Sequence, residues 1–403
     1  MAVDFSALPT EVQPLDDAPS KLVWTIVFVV LLATGGAATV LLWPKGSSTG
    51  GWQFWTTLVV LPSALASFVV TRPFSAYQAR QLDVLAANEA ASAYNKSVFD
   101  AASKPLALLA VAHRFSFEHQ ENAVNGVRDR SLKLVSQAAI AKDFPPVTAR
   151  WILLPSIKLV PGNKSADKLR QTAVVKWIFA ELIDELAEVV NTVPPRVSLS
   201  VHFVMSSLLP IEERNRLWDD KWQERGLRRI NVAIGNDNVD LMMLDRWLDK
   251  VIETPDNEAR LIVAVQLHLL QSSSPPTGAA EVAVAMLLMP RSVASRHKLQ
   301  SSVALHRPVR AGYEQASDAL QRALKWANSQ ASDIKVVWQT GFDATQWGQV
   351  FPPAALLGLV DDVIKIDESI GYAGIAAPWL AIACAAQSLS CLLYTSDAAD
   401  DLT

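Results

Sequence analysis

The sequence predicts an α/β protein carried behind two N-terminal transmembrane helices. Three observations predict it. Two charge-free apolar runs precede Arg72, the character of the chain changes after Pro105, and beyond that point short Val/Ile/Leu runs alternate with amphipathic stretches of helical period. Half of the 403 residues are hydrophobic and the mean hydropathy is +0.19. A short membrane section joined to an ordinary globular section gives that mixture. The net charge of −4 lacks the basic excess of a general nucleic-acid binder. The two cysteines, Cys384 and Cys391, make neither a disulfide framework nor a zinc site.

The apolar runs are Leu22–Trp43 and Trp52–Thr71, each long enough to cross a hydrocarbon core. Trp24, Trp43, Trp52 and Trp55 sit near their ends, where indoles favour the headgroup layer. The turn at 44–51 is short enough to force an antiparallel pair, and Gly35, Gly36, Ala37 and Ala38 would let the helices approach closely. The acidic segment ahead of the first run, and the second run right behind it, argue against a cleaved signal peptide. Lys21, Arg72 and Arg80 flank the outer ends, whereas only Lys45 lies in the turn. The positive-inside rule therefore puts both ends, and the globular region, on the cytoplasmic side of an inner membrane.

The division expected from sequence is a tail at 1–21, the hairpin at 22–72, a connecting helix at 73–104, and two α/β halves at 105–237 and 238–390. The segment 391–403 breaks the pattern and reads as a non-native tail, so the natural chain is expected to continue past Ser390. Strands are expected at Leu106–Arg114, Thr148–Leu154, Val197–Met205, Arg229–Ile234, Leu261–Leu267, Glu281–Met289, Ser302–Leu305, Ile334–Trp338 and Asp362–Ile366. Helices are expected at Thr172–Asn191, Pro210–Arg225, Asn238–Ile252, Tyr313–Asn328, Pro352–Leu359 and Ile375–Leu389. Near-continuous apolar strands imply a mainly parallel or mixed sheet covered on both faces.

The second half resembles the C-terminal half of the thiolase-like condensing enzymes of the β-ketoacyl synthase type. The run 261–267 looks like their strand after the nucleophile helix, and 278–288 like their small-residue turn and next strand. Gln339-Thr340-Gly341-Phe342-Asp343 stands where the family has a Gly-Thr-Gly-Thr loop. The run 370–377 is similar to its Ile-Gly-His turn. The resemblance implies a layered thiolase-like α/β fold, a cysteine nucleophile and two imidazole or amide partners. At those positions this chain has Asn238, Trp338 or Gln339, and Tyr372. The resemblance therefore implies a catalytically inactive relative used as a scaffold, with no cofactor and no metal.

Other candidates are weaker. No G-x-S-x-G elbow, P-loop or dinucleotide fingerprint occurs in the chain. His113 and His119, with Glu118 and Glu121, have no standard metal spacing and read as a solvated turn. His268 reads as a strand-end residue, and His297 and His306 as flanking a strand. Ser272–Ser274 could supply a relocated nucleophile for acyl transfer. Trp218 and Trp222 share a helix face beside Arg225, and Trp247 repeats the theme. The first reading of that face is packing on the sheet; the alternative is a docking face, since Trp and Arg are common interface anchors, and on it these four are the candidate partner-binding residues. In overall type, a two-span anchor before a degenerate α/β region is similar to accessory proteins that accompany type VI secretion effectors in Gram-negative bacteria. That implies an adaptor for a protein partner, such as a secreted effector or secretion component, at a lipid bilayer and away from nucleic acid.

Overall fold

The computed structural model describes residues 8–13, 18–233, 240–253, 257–301 and 303–400, and their side chains up to residue 389, Glu253 excepted. The chain divides into two units, Val3–Asp100 and, in the main, Ala101–Thr403.

In the first unit, α1 (Lys21–Leu42) and α2 (Trp52–Ala102) are both long and apolar enough to cross a membrane. No residue of α1 is buried. The helices meet where small residues allow it: a Cβ on Gly35 would fall 2.7 Å from the Pro62 Cβ. Near this crossing, Thr56–Val60 forms a π-helical turn in α2. Such a turn displaces carbonyls from the regular ladder, and the Thr39 hydroxyl donates across the hairpin to the Thr57 carbonyl at 3.1 Å. Beyond the apolar part, α2 runs on without a break to Ala102.

The second unit is built on a six-stranded mixed sheet. Its strands are β1 (Leu106–Arg114), β2 (Ser198–Ser206), β3 (Asn231–Val232), β4 (Glu258–Gln266), β5 (Val282–Pro290) and β6 (Val303–Leu305), in the order β3-β2-β4-β5-β1-β6. β2 runs parallel to β3 and β4, while β5 is antiparallel to both β4 and β1. Alternate side chains feed two cores. On one face Val201, Leu261 and Ala285 pack under α3 (Lys164–Thr192) and α4 (Ile211–Glu224). On the other, Val204, Ile262 and Met286 meet α5 (Met242–Glu253) and α8 (Ala377–Asp400). β5 is buried along all nine residues, which explains its unbroken apolar sequence. Further on, α6 (Ala316–Ala327) and α7 (Ala344–Leu356) accompany a short parallel pair, β7 (Val337–Gln339) and β8 (Val363–Lys365).

The structure corrects several expectations. α3 begins at Lys164, two turns before the expected Thr172, because Asn163 caps it by accepting from the Ser165 and Ala166 amides. Of the expected strand 148–154 only Thr148 belongs to a ladder, in which Val147–Thr148 pairs with Ser136–Gln137. α7 starts at Ala344, well before Pro352, because Asp343 and Gln346 form a capping box. The expected division at 237/238 cuts through one sheet: β2 and β4, from opposite sides of it, pair over nine residues.

Candidate functional site

Parallel strands end where α/β proteins usually place their sites, so the C-terminal ends of β2 and β4 were the natural place for chemistry. Three segments converge there: the loop after β4, the approach to β5 at 278–281, and the turn at 371–376. The first turns of α3 tie them together. Asp167, Arg170 and Gln171 lie on one face of that helix and all are buried.

The Asp167 carboxylate accepts from the amides of Leu270, Gln271 and Ser272 at 2.8–2.9 Å, and from the Ser272 hydroxyl at 2.5 Å. Burial pushes its pKa up, but these donors outweigh burial and hold the carboxyl below its ordinary value. Arg170 and Glu281 form a fully buried bidentate pair at 3.0 and 2.5 Å. Glu281 also accepts from the amides of His268 and Ile152. The Gln171 side chain accepts from Leu208 N and donates to His268 O.

The second knot is centred on Gln266. Its amide donates to the Ser206 hydroxyl and to Leu267 O, and its Oε1 accepts from Ile375 N. Gly374 sits so close that a Cβ there would lie 2.3 Å from that oxygen, and its φ is +52°. Gly371, at φ +102°, would place a Cβ 2.9 Å from Gly278 O. The flanking backbone closes this approach: Tyr372 N donates to Gly278 O, and Ala280 N donates to Tyr372 O.

The degenerate positions are partly brought together. Tyr372, half exposed, lies against Gly341, in the loop that follows Gln339. That loop is pinned by Asp367, which accepts from the Thr340 hydroxyl and Gly341 N. Gln339 is buried at the end of β7 and its Oε1 has no partner; Trp338 precedes it, half-buried. Asn238 lies outside the described residues. Cys384 is fully buried on α8 and its thiol is pushed up to about 12 by burial, the opposite of an activated thiolate. Among the described residues no group of three His, Cys, Asp or Glu could hold a metal ion.

For the three tryptophans the structure bears out packing on the sheet and rules out the alternative, the exposed anchor. Trp218 and Trp222 are core residues, stacked 5.5 Å apart, with Phe179 and Phe203 edge-on to Trp218. Trp247 is equally buried beneath the Arg260 guanidinium, 4.3 Å from the ring centre. Arg225 is exposed and paired with Asp184. Between the indoles Asp220 is exposed while Asp219 and Lys221 are half-buried, and the helix buries the apolar face a docking surface would have needed.

Sequence reasoning missed a Ser200–His202–Glu258 cluster. The Ser200 hydroxyl donates to Glu258 at 2.7 Å and lies 3.3 Å from His202 Nε2. A hydrolytic triad needs the histidine between serine and acid; here the serine joins both, at the strand end away from the converging loops. His202 is lowered to about 4, first by burial and then by Arg260. His113, expected on a solvated turn, is buried in β1 and also lowered to about 4, mainly by burial. Its Nε2 donates to Asn122 O and its Nδ1 has no partner, as a neutral ring requires. Both histidines therefore titrate lower in the folded than in the unfolded chain. Stability is complete above the unfolded value of about 6.5 and falls as pH drops toward about 4. For His113 the loss across that window is expected to be roughly 3 kcal/mol. Urea midpoints measured at pH 7 and 4.5 should separate, and H113Q should narrow the gap; an unchanged gap would show that this ring does not titrate as described.

Two open surfaces of the second unit carry aromatic side chains suited to binding. A pocket of about 660 Å³ is lined in part by Phe115, Glu121, Lys133, Arg150 and Trp151. Elsewhere, a row of rings runs from Tyr313 through Phe342 and Trp347 to Phe351, with centroids 5.8–6.2 Å apart. Its ends, Tyr313 and Phe351, are 40% and 43% exposed.

No protein-family model matches the chain, and no curated protein matches it either. Among solved structures it is similar to an oxazolomycin ketosynthase domain of Streptomyces albus JA3453, at 13% identity and TM-score 0.40, over 71% of this chain and 78% of that one. It is similar to ketosynthase twelve of the Bacillus amyloliquefaciens bacillaene polyketide synthase, at 15% identity and TM-score 0.45, over 71% and 64%. It is also similar to the peroxisomal 3-ketoacyl-CoA thiolase of Saccharomyces cerevisiae, at 12% identity and TM-score 0.35, over 70% and 91%. The chain thus spans slightly under two thirds of the length of the bacillaene domain. These are distant likenesses to the layered α/β fold of thiolases and ketosynthases, and they say nothing of activity.

Proposed function

We propose that the chain is a non-catalytic scaffold or adaptor, anchored in a bacterial inner membrane by its helical hairpin and holding a protein partner at the cytoplasmic face. The observation that carries the non-catalytic reading is the closure of the strand-end region. Asp167, Arg170, Gln171, Gln266 and Glu281 direct their side-chain polar groups to backbone segments and to one another. Such a network supports a rigid binding platform. Anchoring is supported by α1, which buries no residue and exposes Leu22, Ile26, Val29, Val30, Leu41 and Leu42; in water that exposure is unfavourable, whereas in a bilayer it is the required state. Recruitment of a type VI secretion effector is the specific form of adaptor that the overall architecture suggests.

With the tryptophans of α4 and α5 buried, the ring row that runs from Tyr313 onto α7 becomes the docking surface of choice, since exposed aromatics anchor interfaces. Full-length protein purified from membranes of its host should bring down a specific partner. F351D should reduce recovery at least ten-fold, the effect of losing about 1.4 kcal/mol or more of binding, while a charge change at exposed Arg216 should not. Absence of any specific partner, or equal recovery with F351D, would refute the docking surface.

A second reading, acyl transfer with Ser272 as a relocated nucleophile, has one observation in its favour: the 2.5 Å contact of its hydroxyl with Asp167. Against it, a carboxyl held below its ordinary pKa is a poor general base near neutrality. Acyl-thioester turnover that S272A abolishes would establish this reading over the scaffold.

A further inference from the structure

Beyond its apolar part, α2 carries a seam. Residues 74, 77, 81, 84, 88, 91, 95 and 98 are half-buried, and nearly every residue between them is exposed. The spacing alternates three and four, which is the a/d repeat of a coiled coil. Phe74, Gln81, Asn88 and Asn95 occupy the a positions; Tyr77, Val84, Ala91 and Val98 occupy the d positions. Asparagine at a is the residue that fixes register between paired helices, because its amide is both donor and acceptor and can pair with its own copy.

In the single chain an N-terminal strap lies on this seam. Asn88 receives a hydrogen bond from Val12 N and donates to Val12 O, and Asn95 donates to Pro9 O. The match is metrical. Three extended residues span about 10 Å, and seven helical residues rise about 10.5 Å, so Pro9 and Val12 meet successive a positions. All three hydrogen bonds are solvent-exposed, which makes the strap readily displaced.

We infer that this seam pairs in parallel with the same seam of a second copy of the chain, and that the strap around Pro9–Val12 competes for it. The parallel arrangement rests on the proposed membrane anchoring: two copies entering one bilayer with the same topology present their α2 extensions side by side and in register. Asn88 then meets Asn88 and Asn95 meets Asn95, with Val84, Ala91 and Val98 forming the apolar layers between and beside them. Three polar a layers make this a weak pair, suited to a competition that a strap held by three exposed hydrogen bonds can enter.

The test uses the full chain in lipid nanodiscs, with Cys384 and Cys391 changed to serine. Oxidation should cross-link A91C into a dimer, and A93C, on the opposite side of the helix, should stay monomeric. Deleting residues 2–13, or introducing N88V/N95V, should raise the A91C dimer fraction several-fold. Equal cross-linking at 91 and 93, no cross-linking even without the strap, or a dimer fraction indifferent to the strap would overturn the inference. Accessibility of a cysteine placed at Lys45 to an impermeant thiol reagent, in intact cells, reports separately on the anchoring.

Discussion

Replacing Glu281 with alanine is expected to destabilise the α/β unit by about 3–5 kcal/mol, the usual cost of removing one member of a buried ion pair. Three losses coincide. The Arg170 guanidinium is left charged with almost no solvent contact, and the amides of Ile152 and His268 lose their acceptor. Those groups belong to segments far apart in sequence, so the expected consequence is separation of the 148–152 segment and the loop after β4, ahead of global unfolding. Urea titration of the full chain in mild detergent should show the lowered midpoint, and hydrogen exchange should show the local opening. The double variant R170M/E281M removes both charges while keeping most of the volume, and should recover a large part of the loss. If E281A behaved like the double variant, the pair would not be the bond that holds these segments.

That pair marks a limit of what could be read from sequence. The strands were legible because both sheet faces are covered, which makes a run such as 282–290 apolar throughout. The hairpin helices were legible for the same reason, being apolar and uninterrupted. The buried polar network was not. Asp167, Arg170 and Gln171 sit in the first turns of α3, where an argument from apolar period sees only a polar stretch and starts the helix at Thr172. The capping residue Asn163 was the local signal that would have moved the start. The partner of Arg170 lies 111 residues away, and no periodicity reports a pairing of that range. The positions singled out by the resemblance are a separate case. The turn around Gly371 and the loop after Gln339 do come together through Tyr372, but the side chain packed against that turn at Gly374 and Ile375, Gln266, lies on a strand whose pattern gave no reason to single it out.

Trp218 is the residue at which the structure decides between the two readings of its helix, and its replacement by alanine is the second large effect expected. Spacing of four correctly placed Trp218 and Trp222 on one face of a helix. The charges around them raised the alternative of an outward docking face, but on an amphipathic helix the charges and the indoles lie on different sides, and the sheet takes the indoles. Trp218 is completely buried, with Phe179 and Phe203 edge-on at 5.1 and 5.3 Å and Trp222 stacked on it. W218A should therefore cost about 3–5 kcal/mol through lost burial and a cavity the neighbouring rings cannot fill. An anchor and a core residue predict different measurements. As an anchor, W218A would leave the unfolding midpoint unchanged and abolish partner recovery. As core, it lowers the midpoint strongly, and partner recovery falls only with the folded fraction. W218F, which keeps a ring in the cluster, should restore much of the stability. It should restore recovery in the same proportion, whereas F351D should reduce recovery at full stability.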